Sequence, residues 1–431
     1  MLKKVLFTTP ILEHPAAGGP QLRIENSIKA LNMITELHVV SRVQRFALGG
    51  GEAEKYFRSI CYRFEYSPSA RSNNVLNIIA KYRVRIKNVI LSKCINLPFR
   101  FFNKIYNFIV SKIHNYSVED VRFIKSYVIK HQIDIVWFGY GNISYDMMKA
   151  LKDCLPETKM VCDTDSVWSR FILRELNVEK DPIRIKEIET RGKAKEAEEK
   201  SWVEFMDVTT AVSEIDADYY RSISTDFNKI KIFSNVIDVE MYKKQPPPKN
   251  FKTPCIYLTG TFGHYHSPMD SAARWVIEEV YPIVKKSIPE IHFYIVGKES
   301  EKLLEYIHDN SITITGKVDT VLPYLCNADV SLVPLKFESG TRFKILEAGA
   351  CKRPVVSTTL GAEGLPVIHG KNILIADSPN DFANAVIKLI RDKLFANYLA
   401  ENLYLLVSSK FSIKSLEMEA RNILNSLKVS K

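Results

Sequence analysis

Between Pro334 and Ala348 the chain reads Pro-Leu-Lys-Phe-Glu-Ser-Gly-Thr-Arg-Phe-Lys-Ile-Leu-Glu-Ala. The apolar run 330–334 predicts a strand, Gly340 a turn, and the apolar periodicity of 342–350 a helix that begins near Thr341. A parallel strand that turns on a glycine into a helix places unpaired backbone N–H groups and the positive end of the helix at the carboxyl edge of the sheet. That arrangement suits a diphosphate. Arg342 and Lys344 add positive charge beside it and Thr341 adds a hydroxyl donor. Glu347, one to two turns further on, stands where a carboxylate can accept from a ribose diol instead of repelling phosphates. The alternative is a solvated helix face, but the strand, glycine, helix junction favours phosphate contact, and Glu347 falls in an otherwise apolar helix. Residues 357–364, Ser-Thr-Thr-Leu-Gly-Ala-Glu-Gly, form a second glycine-punctuated strand exit that could line the same crevice.

Other groups could do chemistry. Asp163-Thr164-Asp165 has the Asp-x-Asp spacing of a manganese site, but such triplets are short and frequent; capping a helix from Ser166, or contact with a sugar, are its other readings. No metal is expected there. His264 and His266 sit in a loop, where histidines are more often structural than ligating. Gly18-Gly19 follows the first apolar run and marks a turn. The seven cysteines are odd in number, scattered and never paired as Cys-x-x-Cys. Reduced thiols and no zinc site follow.

The elements that must position these residues alternate. Strands are predicted at 4–8, 37–40, 133–138, 159–162, 208–212 and 231–233. Helices fall at 21–32, 118–131, 147–154, 183–203 and from Ser213 as N-cap to about 221. Pro246-Pro247-Pro248, flanked by lysines, cannot lie inside a helix or central strand and marks a linker. Alternation then restarts, with strands at 255–259, 292–296, 312–315, 330–334, 355–357 and 373–375 and helices at 271–286, 300–310, 321–326, 342–350 and 379–394. Two doubly wound α/β halves are expected.

At 46% hydrophobic and 25% charged, the composition is that of an ordinary globular chain with room for two cores. The net charge of +11 is concentrated: between Glu65 and Glu119 there is no acidic residue, while Arg71, Lys81, Arg83, Arg85, Lys87, Lys93, Arg100, Lys104 and Lys112 accumulate. Across 81–116 these mix with Phe99, Phe101, Phe102, Tyr106 and Phe108 as amphipathic helices broken at Pro98. Basic heads over an aromatic face suit an anionic membrane surface; the alternative is a helical insertion packed on the first domain. No nucleic-acid motif accompanies the charge. The N-terminal apolar run is broken by Pro10 and is read as a buried strand, not a signal peptide. No uncharged apolar stretch is long enough to span a bilayer.

The run from Ser339 to Ala348, with Pro354-Val355-Val356-Ser357-Thr358 and Gly361-Ala362-Glu363-Gly364-Leu365, resembles the donor signature of glycosyltransferase family 4. Leu258-Thr259-Gly260-Thr261, Tyr294-Ile295-Val296-Gly297, Ile314-Thr315-Gly316-Lys317-Val318 and Ala328-Asp329-Val330 resemble family positions in order. In the first half the similarity is carried by Gly18-Gly19, Ala211-Val212-Ser213-Glu214 and Ser234-Asn235-Val236-Ile237-Asp238. It covers most of the chain except about 45–130.

The resemblance implies a GT-B fold: a Rossmann-like domain over 1–240 with the basic helical insertion at about 45–130, a linker at 241–252, a second Rossmann-like domain over 253–410, and a helix at 411–431 returning to the first. It implies a retaining transfer of sugar from a nucleoside-diphosphate sugar to a glycan or lipid-linked glycan acceptor, in polysaccharide or glycolipid assembly, with no cofactor. Gly316, Lys317 and Val318 would read the base through backbone groups, Glu347 the ribose, and Gly340, Thr341 and Arg342 the phosphates. Gly18 and Gly19 would approach the donor, and Gly260 and His264 would line it. The chain departs from the family in three places. Ser339 stands eight residues before Glu347, where the commoner motif has its first glutamate, with Glu338 adjacent. The loop Phe262-Gly263-His264-Tyr265-His266 lacks the usual Arg and Lys, so Arg342 and Lys344 would take over the phosphates. Asp165 occupies the slot of a frequent histidine. Catalysis would then rest on Asp165, Arg342 and Glu347, at a cytoplasmic location peripheral to the membrane. A nucleotide-sugar epimerase of the same fold, or a degenerate transferase acting as a scaffold, are the alternatives.

Overall fold

A computed structural model describes residues 2–16, 18–71, 118–263, 267–307 and 309–427. The basic stretch 81–116 and His264 lie outside them. The first sheet has seven strands: β1 (Lys4–Thr9), β2 (Glu36–Ser41), β3 (Arg63–Tyr66), β4 (Ile135–Gly139), β5 (Lys159–Asp163), β6 (Val208–Ala211) and β7 (Ile230–Ile232). Their order is β3-β2-β1-β4-β5-β6-β7. The second has six: β8 (Cys255–Thr259), β9 (His292–Val296), β10 (Ile312–Ile314), β11 (Val330–Val333), β12 (Val355–Ser357) and β13 (Leu374–Ile375), in the order β10-β9-β8-β11-β12-β13. Pairing is parallel, as in Phe7 opposite Val39 and Trp137, or Tyr257 opposite Tyr294 and Ser331. Parallel strands covered on both faces read as unbroken apolar runs. Val5, Leu6 and Phe7 in β1, and Phe293, Ile295 and Val296 in β9, are accordingly fully buried.

By packing, the chain divides into two compact units. One comprises Met1–Asp163, Phe205–Val208 and Leu427–Lys431; the other comprises Thr164–Glu204 and Thr209–Ser426. In the first, α1 (Gly19–Asn32), α2 (Gly50–Ser59), α3 (Val118–His131) and α4 (Tyr145–Cys154) cover the strands. The second carries α5 (Trp168–Arg174), α6 (Pro182–Phe205, whose last residue belongs to the first unit) and α7 (Glu214–Ser222). It continues with α8 (Pro268–Trp275), α9 (Tyr281–Ser287), α10 (Phe343–Ala350), α11 (Pro379–Arg391), α12 (Lys393–Lys410) and α13 (Ile413–Ser426).

Several elements differ from the sequence expectation. Within the stretch expected to be helical, Arg63–Tyr66 is instead an edge strand, with Phe64 facing inward between charged neighbours. One buried residue in so short a strand leaves no periodic signal. The helix expected from Ser271 starts three residues earlier, because Ser267 accepts from the Asp270 amide as its N-cap and Pro268 fits the first turn. It passes through a π-helical segment, Val276–Val280, before α9. Residues 300–306 form a 3₁₀ helix instead of an α-helix. The expected helix at 379–394 ends at Arg391, and Asp392 caps a further helix, α12, by accepting from the Phe395 amide.

That added helix braces the phosphate-binding candidate. Ala396, Leu399, Ala400, Leu403 and Val407 of α12 are buried at helical spacing. Opposite them Gly349 of α10 leaves room: a Cβ there would stand 2.7 Å from Val407 Cγ2 and 3.0 Å from Leu403 Cγ. The glycine lets two helices approach closely and fixes the axis of α10. In the second sheet the chain leaves β8 toward β9 and β10, then returns to β11 on the opposite side of β8. The crevice between the carboxyl ends of β8 and β11 is thus the topological switch point, where open α/β sheets bind ligands.

Candidate functional site

From β11 the chain runs through Lys336–Gly340 into α10, so the Glu338–Arg342 turn lies at that switch point. Gly340 has φ +78°, and a Cβ on it would come 2.6 Å from the Asp165 carbonyl oxygen. Only glycine serves here, and its absence of side chain brings the Asp165 backbone against the turn. The helix begins at Phe343, one residue later than the expected 342, with Arg342 as an extended N-cap residue and no side chain capping its amides.

Arg342 is 5% exposed. Its Nη1 donates back to the carbonyls of Ser339 (2.8 Å) and Gly340, while Nε and Nη2 are buried and have no partner. The Ser339 hydroxyl is likewise buried and unpartnered. Buried polar groups are almost always satisfied, so three idle polar atoms at a helix N-terminus make this a candidate site for a ligand rich in acceptors. Burial pulls the Arg342 and Lys344 cations below their usual range; Glu338 opposes this most at Arg342, and Glu347 at Lys344. Thr341 Oγ1 accepts from Asn235 Nδ2 at 2.9 Å, which leaves its own proton to donate.

The carboxylates divide by environment. Glu347 Oε1 accepts from Tyr242 Oη at 3.1 Å. Burial pushes Glu347 upward, with Lys344 and the Tyr242 hydrogen bond opposing. Glu338 is raised by burial against the pull of Arg342, and its carbonyl accepts from Arg174 Nη1 at 2.6 Å. Capping a helix from Ser166, one of the two readings of Asp165, is not what the structure shows. The helix α5 starts at Trp168, with Val167 at its N-cap position, and Asp165 Oδ1 accepts from the Trp168 indole at 3.1 Å. Asp163, the other carboxylate of the triplet, is fully buried in an ion pair with Arg23. Among the described residues no group of three or more His, Cys, Asp or Glu is placed to hold a metal ion.

At neighbouring strand exits Gly260, Gly297 and Gly316 abut. A Cβ on Gly297 (φ +137°) would meet the Gly260 carbonyl oxygen at 2.1 Å. The Gly316 amide donates to Ser300 Oγ, and its carbonyl accepts from Gly297 N and Thr315 Oγ1. Its backbone is therefore spent on the fold. Gly18 and Gly19 belong to the first unit, where Gly18, at φ +133°, precedes α1. Sequence reading passed over Tyr242 and Arg174 as site residues. Neither sits in a motif; each reaches its carboxylate from a remote segment.

Residues 256–392 match the family described as Glycosyl transferases group 1. An uncharacterized glycosyltransferase, MJ1178 of Methanocaldococcus jannaschii, is 29% identical over 138 residues, 30% of this chain and 39% of that protein. The chain spans less than two-fifths of the length of the curated relatives it matches. Among solved structures, Anabaena Alr3699/HepE in complex with UDP and glucose superposes with a TM-score of 0.64 at 14% identity, covering 99% of this chain and 100% of that one. A mutant of S. aureus TarM, in complex with Fondaparinux, alpha-GlcNAc-glycerol and UDP, gives 0.61 at 12% identity, covering 98% and 100%. With its two parallel sheets, the chain has the GT-B fold.

Proposed function

We propose that this protein transfers a sugar from a nucleoside-diphosphate sugar to a glycan or lipid-linked glycan acceptor, with retention at the anomeric carbon. The observation that carries the reading is Arg342: a buried guanidinium with two idle nitrogens at the start of an uncapped helix, on the switch-point side of the second sheet. It and Lys344 hold the diphosphate, with the Ser339 and Thr341 hydroxyls donating. Glu347, oriented by Tyr242, takes the ribose diol. Lys317 and Val318 meet the base. Asp165, anchored by Trp168 beside Gly340, contacts the sugar. The match of 256–392 to Glycosyl transferases group 1 and the UDP and glucose named for the HepE complex support the same donor class.

In the reaction the bond from the anomeric carbon to the leaving phosphate oxygen breaks and a bond to the acceptor oxygen forms on the same face. The acceptor proton passes to the leaving phosphate oxygen, so no separate protein base is required. The contribution of the chain is positioning and stabilisation of charge on the leaving diphosphate. Site of action at an anionic membrane surface through 81–116 belongs to the same proposal, and flotation with anionic vesicles at low and high salt tests it.

Calorimetry with UDP, GDP, ADP and CDP is the first test, and binding of at least one is expected. Arg342→Ala and Glu347→Ala should each abolish transfer in a folded protein. Full activity in both variants refutes the assignment.

A further inference from the structure

Glu363 lies in the glycine-punctuated loop after β12, one loop away from Arg342. A Cβ on Gly364 (φ +80°) would touch Ser213 Oγ and Thr341 Cγ2, each at 3.0 Å, so this loop is packed against the residue preceding Arg342. A carboxylate here is the natural partner for a buried guanidinium with two free nitrogens. Glu363 nevertheless binds Arg174: Nη1 to Oε1 is 2.7 Å and Nη2 to Oε2 is 2.8 Å. Arg170, one turn earlier on α5, adds a second cation 3.9 Å from Oε2. Arg174 also donates to the Glu338 carbonyl, within the turn that carries Arg342.

We propose that Arg174 is a positioning residue of the phosphate site: by occupying both oxygens of Glu363 it keeps that carboxylate off Arg342 and leaves Arg342 Nε and Nη2 open for the donor diphosphate. The inference rests on the donor-site reading above. Its physical basis is competition for one carboxylate. A fork-to-fork arginine–carboxylate pair is the strongest form of the contact, and truncating one partner leaves the other charge seeking a new one. With Arg174 gone, Glu363 closes on Arg342 and acts as an internal mimic of the phosphate.

The test compares Arg174→Ala, Arg174→Lys, Glu363→Gln and the double variant Arg174→Ala/Glu363→Gln, using UDP, GDP, ADP and CDP as probes. Arg174→Ala is expected to weaken binding about tenfold or more. Adding Glu363→Gln should restore it to the level of Glu363→Gln alone, because the amide no longer competes for Arg342. Arg174→Lys, which cannot hold both oxygens, should fall between wild type and Arg174→Ala and be rescued in the same way. A purely structural tie between α5 and the loop is already lost in Arg174→Ala, so on that account the double variant binds no better than Arg174→Ala, and such an absence of rescue overturns the proposal. A ligand-free measurement stands beside it. Arg342→Ala and Glu363→Gln should shift the melting temperature additively while Arg174 is present and non-additively once it is alanine; additivity in both backgrounds overturns the proposal whatever any nucleotide does. Should Arg342→Ala leave nucleotide binding intact, the donor-site reading fails. Loss of binding there, with none in Arg174→Ala, sinks this inference alone.

Discussion

Replacing Asp216 by asparagine should stabilise the protein at neutral and alkaline pH and do little in acid. Asp216 stands in the first turn of α7, 2% exposed. Ser213 Oγ lies 3.2 Å from its Oδ2 and Arg170 Nη1 3.8 Å from its Oδ1. Burial outweighs both and, with some repulsion from Glu363, pushes the carboxyl from 3.8 up to about 6. The folded value is above the unfolded one, so the native state binds more protons. The stability that Asp216 contributes is fully present below pH 3.8 and is lost as pH rises through 6. Linkage makes the cost about 0.5 kcal/mol at pH 4, about 1.6 at pH 5 and about 3 at pH 8. Asparagine keeps the shape and still accepts from Ser213, without the charge. The advantage of Asp216→Asn should therefore widen by about 2.5 kcal/mol between pH 4 and pH 8. Urea unfolding followed by tryptophan fluorescence reads it, since Trp168, Trp202 and Trp275 share the compact unit of Asp216 and midpoints convert to free energy through the slope. A difference that is flat with pH, or narrows as pH rises, would refute the reasoning and mean that Arg170 and Ser213 hold the carboxylate ionised at no net cost.

Gly340→Ala should cost about 1–2 kcal/mol for the left-handed backbone alone, with a further penalty from the clash with the Asp165 carbonyl; a lowered melting temperature together with lost nucleotide binding is expected, and unchanged binding would contradict the placement of the turn. Tyr242→Phe removes a hydrogen bond to a carboxylate, a class of contact that contributes about 1.5–3 kcal/mol. If Glu347 holds the ribose, as proposed, it meets a part of the donor that does not react, so the donor KM should rise about tenfold with kcat nearly kept. Gly349→Ala should destabilise by about 1–3 kcal/mol through overpacking against α12, and Val407→Ala in the same chain should recover part of that loss, as measured by thermal unfolding.

What could be read from the sequence was what is local to it. The apolar runs of β8, β9 and β12 were placed to the residue, because a strand covered on both faces is written as a continuous hydrophobic segment. Arg342 and Lys344 were legible because a strand, a glycine and a helix follow one another directly and the backbone geometry of that junction is nearly obligatory. The edge strand Arg63–Tyr66 was not, since a single buried phenylalanine gives no period, and α12 was not, since its existence turns on Asp392 ending one helix and capping the next.

The side chains that tune the site were illegible for a different reason. Tyr242 meets Glu347 from 105 residues away, Asn235 meets Thr341 from 106, and Arg174 meets Glu363 from 189. No spacing rule connects such pairs; only the folded second unit does. On the proposed reading, each of the three contacts engages an atom that would otherwise compete for, or fail to point at, the ligand. Tyr242 fixes one oxygen of Glu347, Asn235 fixes the Thr341 hydroxyl so that its proton is the free one, and Arg174 occupies Glu363. The residues proposed to touch the donor are thus set by the local junction. Their readiness to do so is set by remote partners, and for that reason a substitution at Arg174 or Tyr242 should act on donor affinity while leaving the motif that advertises the site untouched.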